Sequence, residues 1–308
     1  MEWEGVRLER CPQCSSALIA PAGKRGDGAP VSECSDCGLG FLNPMPTSQE
    51  IRGMYDRYYS RDDGIGYGVY GKHSSAMPVD YVLLDVLKGL GHSKGDSLLD
   101  VGCAFGSRVA YLRKMGFIAS GVDISAEAVD YGRRRWGIDL HPGRFEEFPS
   151  AKPFDIVTMI DFIEHLPSPE PWILKVKELT HVSSSLLILT PDFDCYRAYG
   201  VRWTGYNRSY EHVLFYSRRS LGSLLERHGF RVRGSLSLST LPLAVETGAR
   251  QDEWPGPARK VADARFKIPA LESIVRLALW AKGRVTYPRL VSRDGCANSL
   301  LLYASRGE

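Results

Sequence analysis

The sequence predicts an α/β protein in which a doubly wound, mostly parallel sheet follows a small cysteine-rich module. Two observations predict this fold class. Short apolar runs alternate with helical patterns through the central part of the chain, and four of the seven cysteines form two pairs near the N-terminus. The 308 residues suffice for about two domains. Hydrophobic residues make up 44% and charged residues 24%, which is typical of globular proteins and excludes disordered and fibrous classes.

The first module is defined by two Cys-x-x-Cys pairs, Cys11 with Cys14 and Cys34 with Cys37, which are separated by 19 residues. This spacing is typical of zinc ribbons, because two residues between thiolates let both sulfurs face one tetrahedral ion. Four thiolates leave no open coordination position, so we predict a ribbon over residues 1–45 that holds a structural Zn²⁺. The Pro- and Gly-rich residues between the pairs predict a flexible loop.

Disulfides and a redox dithiol are the alternatives for these cysteines. The first residues of the chain are acidic and mixed, whereas a secretory signal would be basic and then apolar. We therefore expect a cytoplasmic protein, in a reducing compartment that favours metal over disulfides.

Residues 46–92 predict a helical and Tyr-rich linker. A first helix begins near Thr47 or Ser48, a Tyr- and Gly-rich segment follows over 58–70, and a second helix covers about 77–90. The middle segment is too polar and too rich in glycine for a core element. We predict that it forms a lid or a substrate loop.

The rest of the chain, residues 93–308, predicts the main domain. Its strand candidates cover 97–101, 118–123, 139–141, 155–160, 185–189, 232–243 and 296–304. Ser125 and Ser217 predict the N-caps of helices over 126–136 and 218–228, and Gly229 ends the second helix. A basic insertion at about 246–294 contains an amphipathic helical pattern. We interpret it as a solvated hairpin over the sheet, and the alternative is weak contact with an anionic acceptor or a membrane surface.

The first strand of this domain ends in a glycine turn, Asp100-Val101-Gly102-Cys103-Ala104-Phe105-Gly106, that leads into a helix. Glycines at such a turn let backbone amides approach a ligand, and the helix N-terminus favours a carboxylate or phosphate. The dinucleotide fingerprint is not matched, because it needs glycine where Ala104 and Ser107 stand. Asp100 suits a ligand that carries a cation, and Asp123 at the end of the next strand can accept hydrogen bonds from both hydroxyls of a ribose. Together these features describe S-adenosylmethionine.

On these residues, with Phe154-Asp155-Ile156-Val157 and Ile160-Asp161-Phe162-Ile163-Glu164-His165-Leu166, the chain resembles the class I S-adenosylmethionine-dependent methyltransferases. The resemblance covers about residues 75–245 and the final strand. It implies a Rossmann-like sheet of seven strands, the last one antiparallel. It also implies a cofactor site formed by Asp100, Gly102, Cys103, Ala104, Gly106, Asp123, Ile124, Phe145, Ile160 and Asp161.

The ribbon followed by a Tyr-rich helix is similar to bacterial methyltransferases that act on sugars or natural products. This similarity implies a small-molecule acceptor, and we expect methylation at an oxygen. A long loop after the fifth strand should border the acceptor, because ligands bind at the carboxyl ends of strands in open α/β sheets. His212 in this loop is our predicted catalytic base, since its unperturbed pKa suits proton transfer near neutral pH. Tyr210 and Glu211 are further candidates, and the alternative is that His212 only orients the loop.

The charge balance disfavours nucleic acid as the acceptor. The formal net charge is +3, and Lys24 and Arg25 are the only cations between the cysteine pairs, with no aromatic residues interleaved. An anionic or nucleotide-linked small molecule is compatible with the basic insertion. No stretch of the sequence is long and apolar enough for a transmembrane helix. Two other functions stay open, an RNA methyltransferase and a cofactor-binding scaffold without catalysis.

Overall fold

Eleven strands form the framework of the structure, a computed structural model that describes residues 4–51, 53, 78–149, 152–199, 211–238 and 299–307. Three of them belong to the N-terminal module: β1 (Ile19–Lys24), β2 (Pro30–Cys34) and β3 (Gly40–Leu42). The other elements are, in chain order, α1 (Pro78–Gly89), β4 (Ser97–Val101), α2 (Ser107–Lys114), β5 (Ile118–Asp123), α3 (Ala126–Trp136), β6 (Leu140–Pro142), β7 (Phe154–Ile160), α4 (Glu170–Glu178), β8 (Thr180–Pro191), α5 (Phe193–Tyr199), β9 (Leu214–Phe215), α6 (Arg218–Arg227), β10 (Phe230–Leu238) and β11 (Ser299–Arg306).

The main sheet has seven strands in the order β10-β11-β8-β7-β4-β5-β6. Neighbouring strands from β8 to β6 run parallel, and β11 runs antiparallel to both β8 and β10. The predicted seven-stranded, mostly parallel sheet is confirmed. The strand order reverses between β4 and β7, so the crevice at the carboxyl ends of these two strands is where a ligand is expected.

Helices cover both faces of this sheet, because alternate side chains of its strands point to opposite faces. In β4, Leu98 packs in a buried cluster with side chains from α1, α2 and α3, whereas Leu99 packs in a second cluster with side chains from α4 and α6. Both leucines are fully buried. Strands that are buried on both faces read as continuous apolar runs, which is why the sequence showed them clearly.

Helix ends lie close to where the sequence places them. The Ser125 side chain accepts a hydrogen bond from the Ala128 amide and caps α3, which has the predicted bounds. Ser217 and Ser220 form a reciprocal capping box at the start of α6. Gly229 has a φ of +83° just beyond the end of α6, as its predicted role at the helix end requires.

The residues between the two cysteine pairs form a hairpin rather than the predicted flexible loop. Strands β1 and β2 pair antiparallel, with a register shift between Pro21 and Gly23. Pro21 and Gly23 interrupt the strand pattern, so the sequence did not predict β1. A Cβ at Gly23 would overlap the hydroxyl of Tyr196, so the close approach of that ring explains the glycine.

The N-terminal sheet includes a strand from the main domain. Its order is β1-β2-β3-β9, and β9 pairs antiparallel with β3 through Gly40 opposite Phe215 and Phe41 opposite Leu214. The residues that follow His212 are therefore built into the ribbon sheet. The ribbon and the main domain share hydrogen-bonded backbone at this point.

Several predicted features lie outside the described residues. These are the Tyr-rich lid over 58–70, residues 200–210 of the acceptor loop, which include Tyr210, and the basic insertion at 246–294. Among the residues that the structure does describe, none of the helices combines the length and the apolar character needed to cross a membrane.

Candidate active site

The turn after β4 has the backbone geometry of a tight ligand-binding loop. Gly102, Ala104 and Gly106 have φ values of +74°, +46° and +70°. A left-handed alanine costs about 1–2 kcal/mol, so Ala104 needs to be held in place. Its amide donates to Oδ2 of Asp123 at 2.8 Å. This bond ties the turn to the end of β5, beside the first amides of α2.

Asp123 connects the two loops of the predicted cofactor side. Its Oδ2 accepts from Ala104, and its Oδ1 accepts from the Ser125 amide at 2.8 Å. The residue is 8% exposed, and burial raises the pKa of its carboxyl group. Each carboxylate oxygen has further lone pairs, so Asp123 can still accept hydrogen bonds from a ligand. This geometry permits the predicted contact with ribose hydroxyls, which stays a prediction.

Gly102→Ala is expected to weaken cofactor binding by about tenfold or more, because the left-handed backbone alone costs an alanine about 1–2 kcal/mol. In addition, a Cβ at this position would lie 2.5 Å from Cδ2 of Phe162, which opens the next loop of the site. Gly137→Ala is the matched control, since Gly137 also has a positive φ but open space around it. Calorimetric titration with S-adenosylhomocysteine measures the difference, and equal affinities would contradict the placement of the cofactor.

The carboxylate of Asp100 is hydrogen-bonded to two protein side chains. Its Oδ1 accepts from the Thr158 hydroxyl at 2.6 Å, and both oxygens lie within 3.3 Å of Nη1 of Arg108. Arg108 also donates to Asp80 at 2.8 Å. The cation that faces Asp100 is thus Arg108, which differs from the expectation that this carboxylate faces the ligand's cation directly. A fully buried carboxylate is costly without a partner, and the first turn of α2 supplies one.

The loop after β7 places two acids and an imidazole next to the glycine turn. Asp161 is exposed and has a φ of +52°. Glu164 is 1% exposed, and burial, followed by the charge of Asp161, raises its pKa well above the usual range. Burial lowers the pKa of His165 to about 4, so this imidazole is neutral at pH 7. Its Nδ1 lies 3.3 Å from the carbonyl oxygen of Glu211.

The segment around His212 is held from two sides. On the ribbon side, Arg25 Nη1 donates to the His212 carbonyl at 2.7 Å, and the Leu42 amide donates to the Val213 carbonyl at 2.9 Å. On the other side, the Val213 amide donates to the Glu164 carbonyl at 2.9 Å. His212 is 6% exposed. The backbone at His212 and Val213 therefore lies between the ribbon and the loop after β7.

His212 has two titratable neighbours on that loop. Its Nε2 lies 3.8 Å from Oε1 of Glu164, which is beyond hydrogen-bond length, and its ring centroid lies 4.8 Å from that of His165. One ligand atom from each of the three residues fits within a 4.8 Å span. A carboxyl group and two imidazoles thus share one buried space, which suits proton transfer and could also hold a cation.

The other predicted site residues are divided between the interior and the surface. Cys103, Phe145 and Ile160 are buried, and the Phe145 ring stacks on Trp172 with centroids 5.8 Å apart. Ile124 is 61% exposed at the rim beside Asp123. The pKa of Glu211 is raised by burial, and its backbone carbonyl faces His165.

Three residues in this region were not assigned a role from the sequence. The sequence does point to Glu164, because an acid and a histidine follow shortly after a buried strand. It points less strongly to Arg108, since a buried Asp100 requires a cation nearby. It does not point to Arg25, which lies 187 positions from His212 in the chain.

The four cysteines of the N-terminal pairs come together as predicted. The Sγ atoms of Cys11 and Cys37 are 3.6 Å apart, and those of Cys14 and Cys34 are 3.5 Å apart. Four sulfurs about 2.3 Å from a tetrahedral zinc ion would be separated by about 3.8 Å. The Gln13 amide also points at Cys11 Sγ, at 3.4 Å. The set has the composition and the spacing of a tetrahedral zinc site.

The sheet order, the glycine turn and the carboxylate at the end of β5 define a protein of the S-adenosylmethionine-dependent methyltransferase class. The chain belongs to the family described as Methyltransferase domain, which matches residues 77–234. The protein is thus an S-adenosylmethionine-dependent methyltransferase.

Curated relatives share part of this chain. The ubiquinone biosynthesis O-methyltransferase of Pseudoalteromonas translucida (strain TAC 125) is 28% identical over 168 residues, which cover 50% of this chain and 71% of that protein. The protein of the same name from Coxiella burnetii (strain RSA 493 / Nine Mile phase I) is 31% identical over 103 residues, which cover 32% of this chain and 44% of that protein. The match thus spans less than half of the second relative.

A solved structure shares the fold. The 1,6-didemethyltoxoflavin-N1-methyltransferase of Burkholderia thailandensis, with bound 1,6-didemethyltoxoflavin and S-adenosylhomocysteine, has a TM-score of 0.52 and 13% identity to this chain. The superposition covers 89% of this chain and 98% of that one. At this identity the likeness shows the fold alone.

Proposed function

We propose that the protein transfers a methyl group from S-adenosylmethionine to an oxygen of a small molecule, such as a sugar or a natural-product intermediate. The observation that carries this proposal is the buried imidazole of His212, which the loop after β7 connects to the glycine turn. Phe162 of that loop contacts Gly102, and Glu164 lies beside His212. The names of the ubiquinone relatives, which state O-methylation, support an oxygen acceptor.

In this proposal each group has a separate task. The bound cofactor supplies a methyl carbon on a positively charged sulfur, which is already an activated leaving group. Asp123 and the glycine turn hold the nucleoside part, and Arg108 with its carboxylates keeps the turn rigid. His212 accepts the proton of the acceptor hydroxyl while the oxygen–methyl bond forms and the methyl–sulfur bond breaks, with its electron pair staying on sulfur. The Glu164 carboxyl, when ionised, lies close enough to favour the resulting imidazolium.

The acceptor class can be tested directly with radiolabelled methyl groups. The full chain is incubated with S-adenosylmethionine labelled on its methyl carbon, in separate reactions with hydroxylated small molecules, nucleotide sugars and bulk RNA. We expect label in a small-molecule fraction that is stable to base, as an ether is. Label in RNA alone would refute the small-molecule acceptor, and tight cofactor binding with no transfer to any acceptor would favour the scaffold alternative.

We also propose that the four cysteines hold one structural zinc ion. Cys37→Ser should lose this ion and lower the thermal unfolding temperature, because the energy of metal binding is coupled to folding of the ribbon. Cys195→Ser is the matched control, since Cys195 is equally buried but lies apart from the four. Elemental analysis should find one zinc per chain in the wild type and the control, and none in Cys37→Ser. Metal-free wild type that still unfolds cooperatively at the ribbon would contradict the proposal.

A further inference from the structure

Arg25 is a buried arginine in the ribbon hairpin that reaches the main domain. It follows β1 in the tight turn to β2 and is 1% exposed. Its Nε and Nη2 donate to the two carboxylate oxygens of Asp27, at 3.0 and 2.7 Å. Its Nη1 donates to the backbone carbonyl of His212 at 2.7 Å.

A buried guanidinium carries a large desolvation cost, which only well-placed partners offset. Asp27 neutralises the charge with a bidentate pair, the geometry that the planar fork of arginine fits. This pair fixes the plane of the guanidinium and so the direction of Nη1. Nη1 donates to the carbonyl of the predicted base, and the charge of Arg25 also lowers the pKa of Glu211, which burial otherwise raises.

We propose that Arg25 is a positioning residue for His212, so that the zinc ribbon forms part of the active site. The ribbon hairpin holds the His212 backbone through Arg25, while β3 holds the following residues through its pairing with β9. This inference rests on the proposed role of His212 as the base. A misplacement of about 1 Å at such a group can lower the rate about 10²-fold.

Three other hydrogen bonds across the same junction do not contact this segment. Gln13 donates to the Ser220 carbonyl at 3.0 Å, Arg219 donates to the Asp36 carbonyl at 2.6 Å, and Arg227 donates to the Gln13 carbonyl at 2.9 Å. All three involve α6 rather than the backbone of residues 211–213. Removing one of these bonds therefore loosens the junction without displacing His212, which makes such a variant a suitable control.

The test compares Arg25→Met with Arg227→Met in the full, metal-loaded chain. Arg227→Met also removes an arginine that bonds a backbone carbonyl across the junction. Histidine is labelled with ¹³C at Cε1, which gives one signal for each of seven residues, and the His212 signal is identified by its loss in His212→Gln. We expect the His212 signal to move in Arg25→Met and to stay in place in Arg227→Met, with unchanged affinity for S-adenosylhomocysteine in both.

Turnover gives the second readout once the label screen has supplied an acceptor. Arg25→Met should lower turnover about 10- to 100-fold with little change in the cofactor KM, whereas Arg227→Met should keep it. If Arg25→Met does not fold, Arg25→Lys replaces it. Lysine keeps the charge, but its single ammonium group cannot pair with both oxygens of Asp27 and also donate to the His212 carbonyl. An unmoved His212 signal in either folded variant, or equal movement in Arg227→Met, would overturn the proposal. Full turnover in His212→Ala would refute the base and leave the signal test intact.

Discussion

His212→Ala is expected to lower the turnover number about 10²- to 10⁴-fold, which is the contribution of a positioned general base. His212 is 6% exposed and its imidazole lies against the loop after β7, so little solvent reaches it to replace the lost base. Cofactor affinity should change by less than about threefold, because the proposed cofactor site is formed by other residues, Asp123 and the glycine turn. Single-turnover rates at saturating cofactor measure the loss.

His181→Ala is the control for this prediction. His181 lies at the start of β8, at the end of the parallel strands opposite the site, and pairs with Asp155 near the surface. Its removal should leave turnover unchanged. A loss below about tenfold in His212→Ala would remove His212 from the catalytic residues and favour an acceptor that needs no deprotonation.

Asp123→Ala should weaken S-adenosylmethionine binding by about 2–4 kcal/mol, or about 30- to 1000-fold. Two losses add up in this variant. The ligand loses its expected hydrogen-bond acceptor, and Ala104 and Ser125 lose the oxygens that hold the two loops together. Asp123→Asn keeps the side-chain shape with one accepting oxygen, so its affinity should fall in between.

Asp155→Ala is the matched control for Asp123→Ala. Asp155 also accepts two hydrogen bonds, from the amide and the hydroxyl of Ser97, but it lies at the start of β7, at the end of the strands opposite the site. This variant should lose stability and keep its cofactor affinity. Calorimetric titration of all three variants checks the prediction, and binding within threefold of wild type in Asp123→Ala would exclude the assigned site.

Local sequence patterns predicted the parts of the fold that depend on neighbouring residues. The cap of α3 by Ser125 and the approach of the Asp123 carboxylate to the glycine turn are set by short spacings and by strand order. The parallel strands were visible because burial on both faces makes them continuously apolar. The cysteine pairs likewise carry their own spacing, and their thiols come together in the structure.

Contacts between distant segments could not be predicted in this way. The pairing of Arg25 with the His212 carbonyl joins residues 187 positions apart, and the addition of β9 to the ribbon sheet has no local signal. Strand β1 could not be predicted, because its glycine is required by the close approach of Tyr196, which is distant in sequence. Asp100 was assigned to the ligand because its partner Arg108 becomes visible only when α2 is placed against β4.

A crystal structure of the full chain with S-adenosylhomocysteine tests the central claim, that one continuous site runs from Asp123 to His212. We predict that both ribose hydroxyls donate to the Asp123 carboxylate and that the sulfur faces the imidazole of His212, with space for an acceptor oxygen between them. A nucleoside bound away from Asp123, or a sulfur that faces away from His212, would contradict the account.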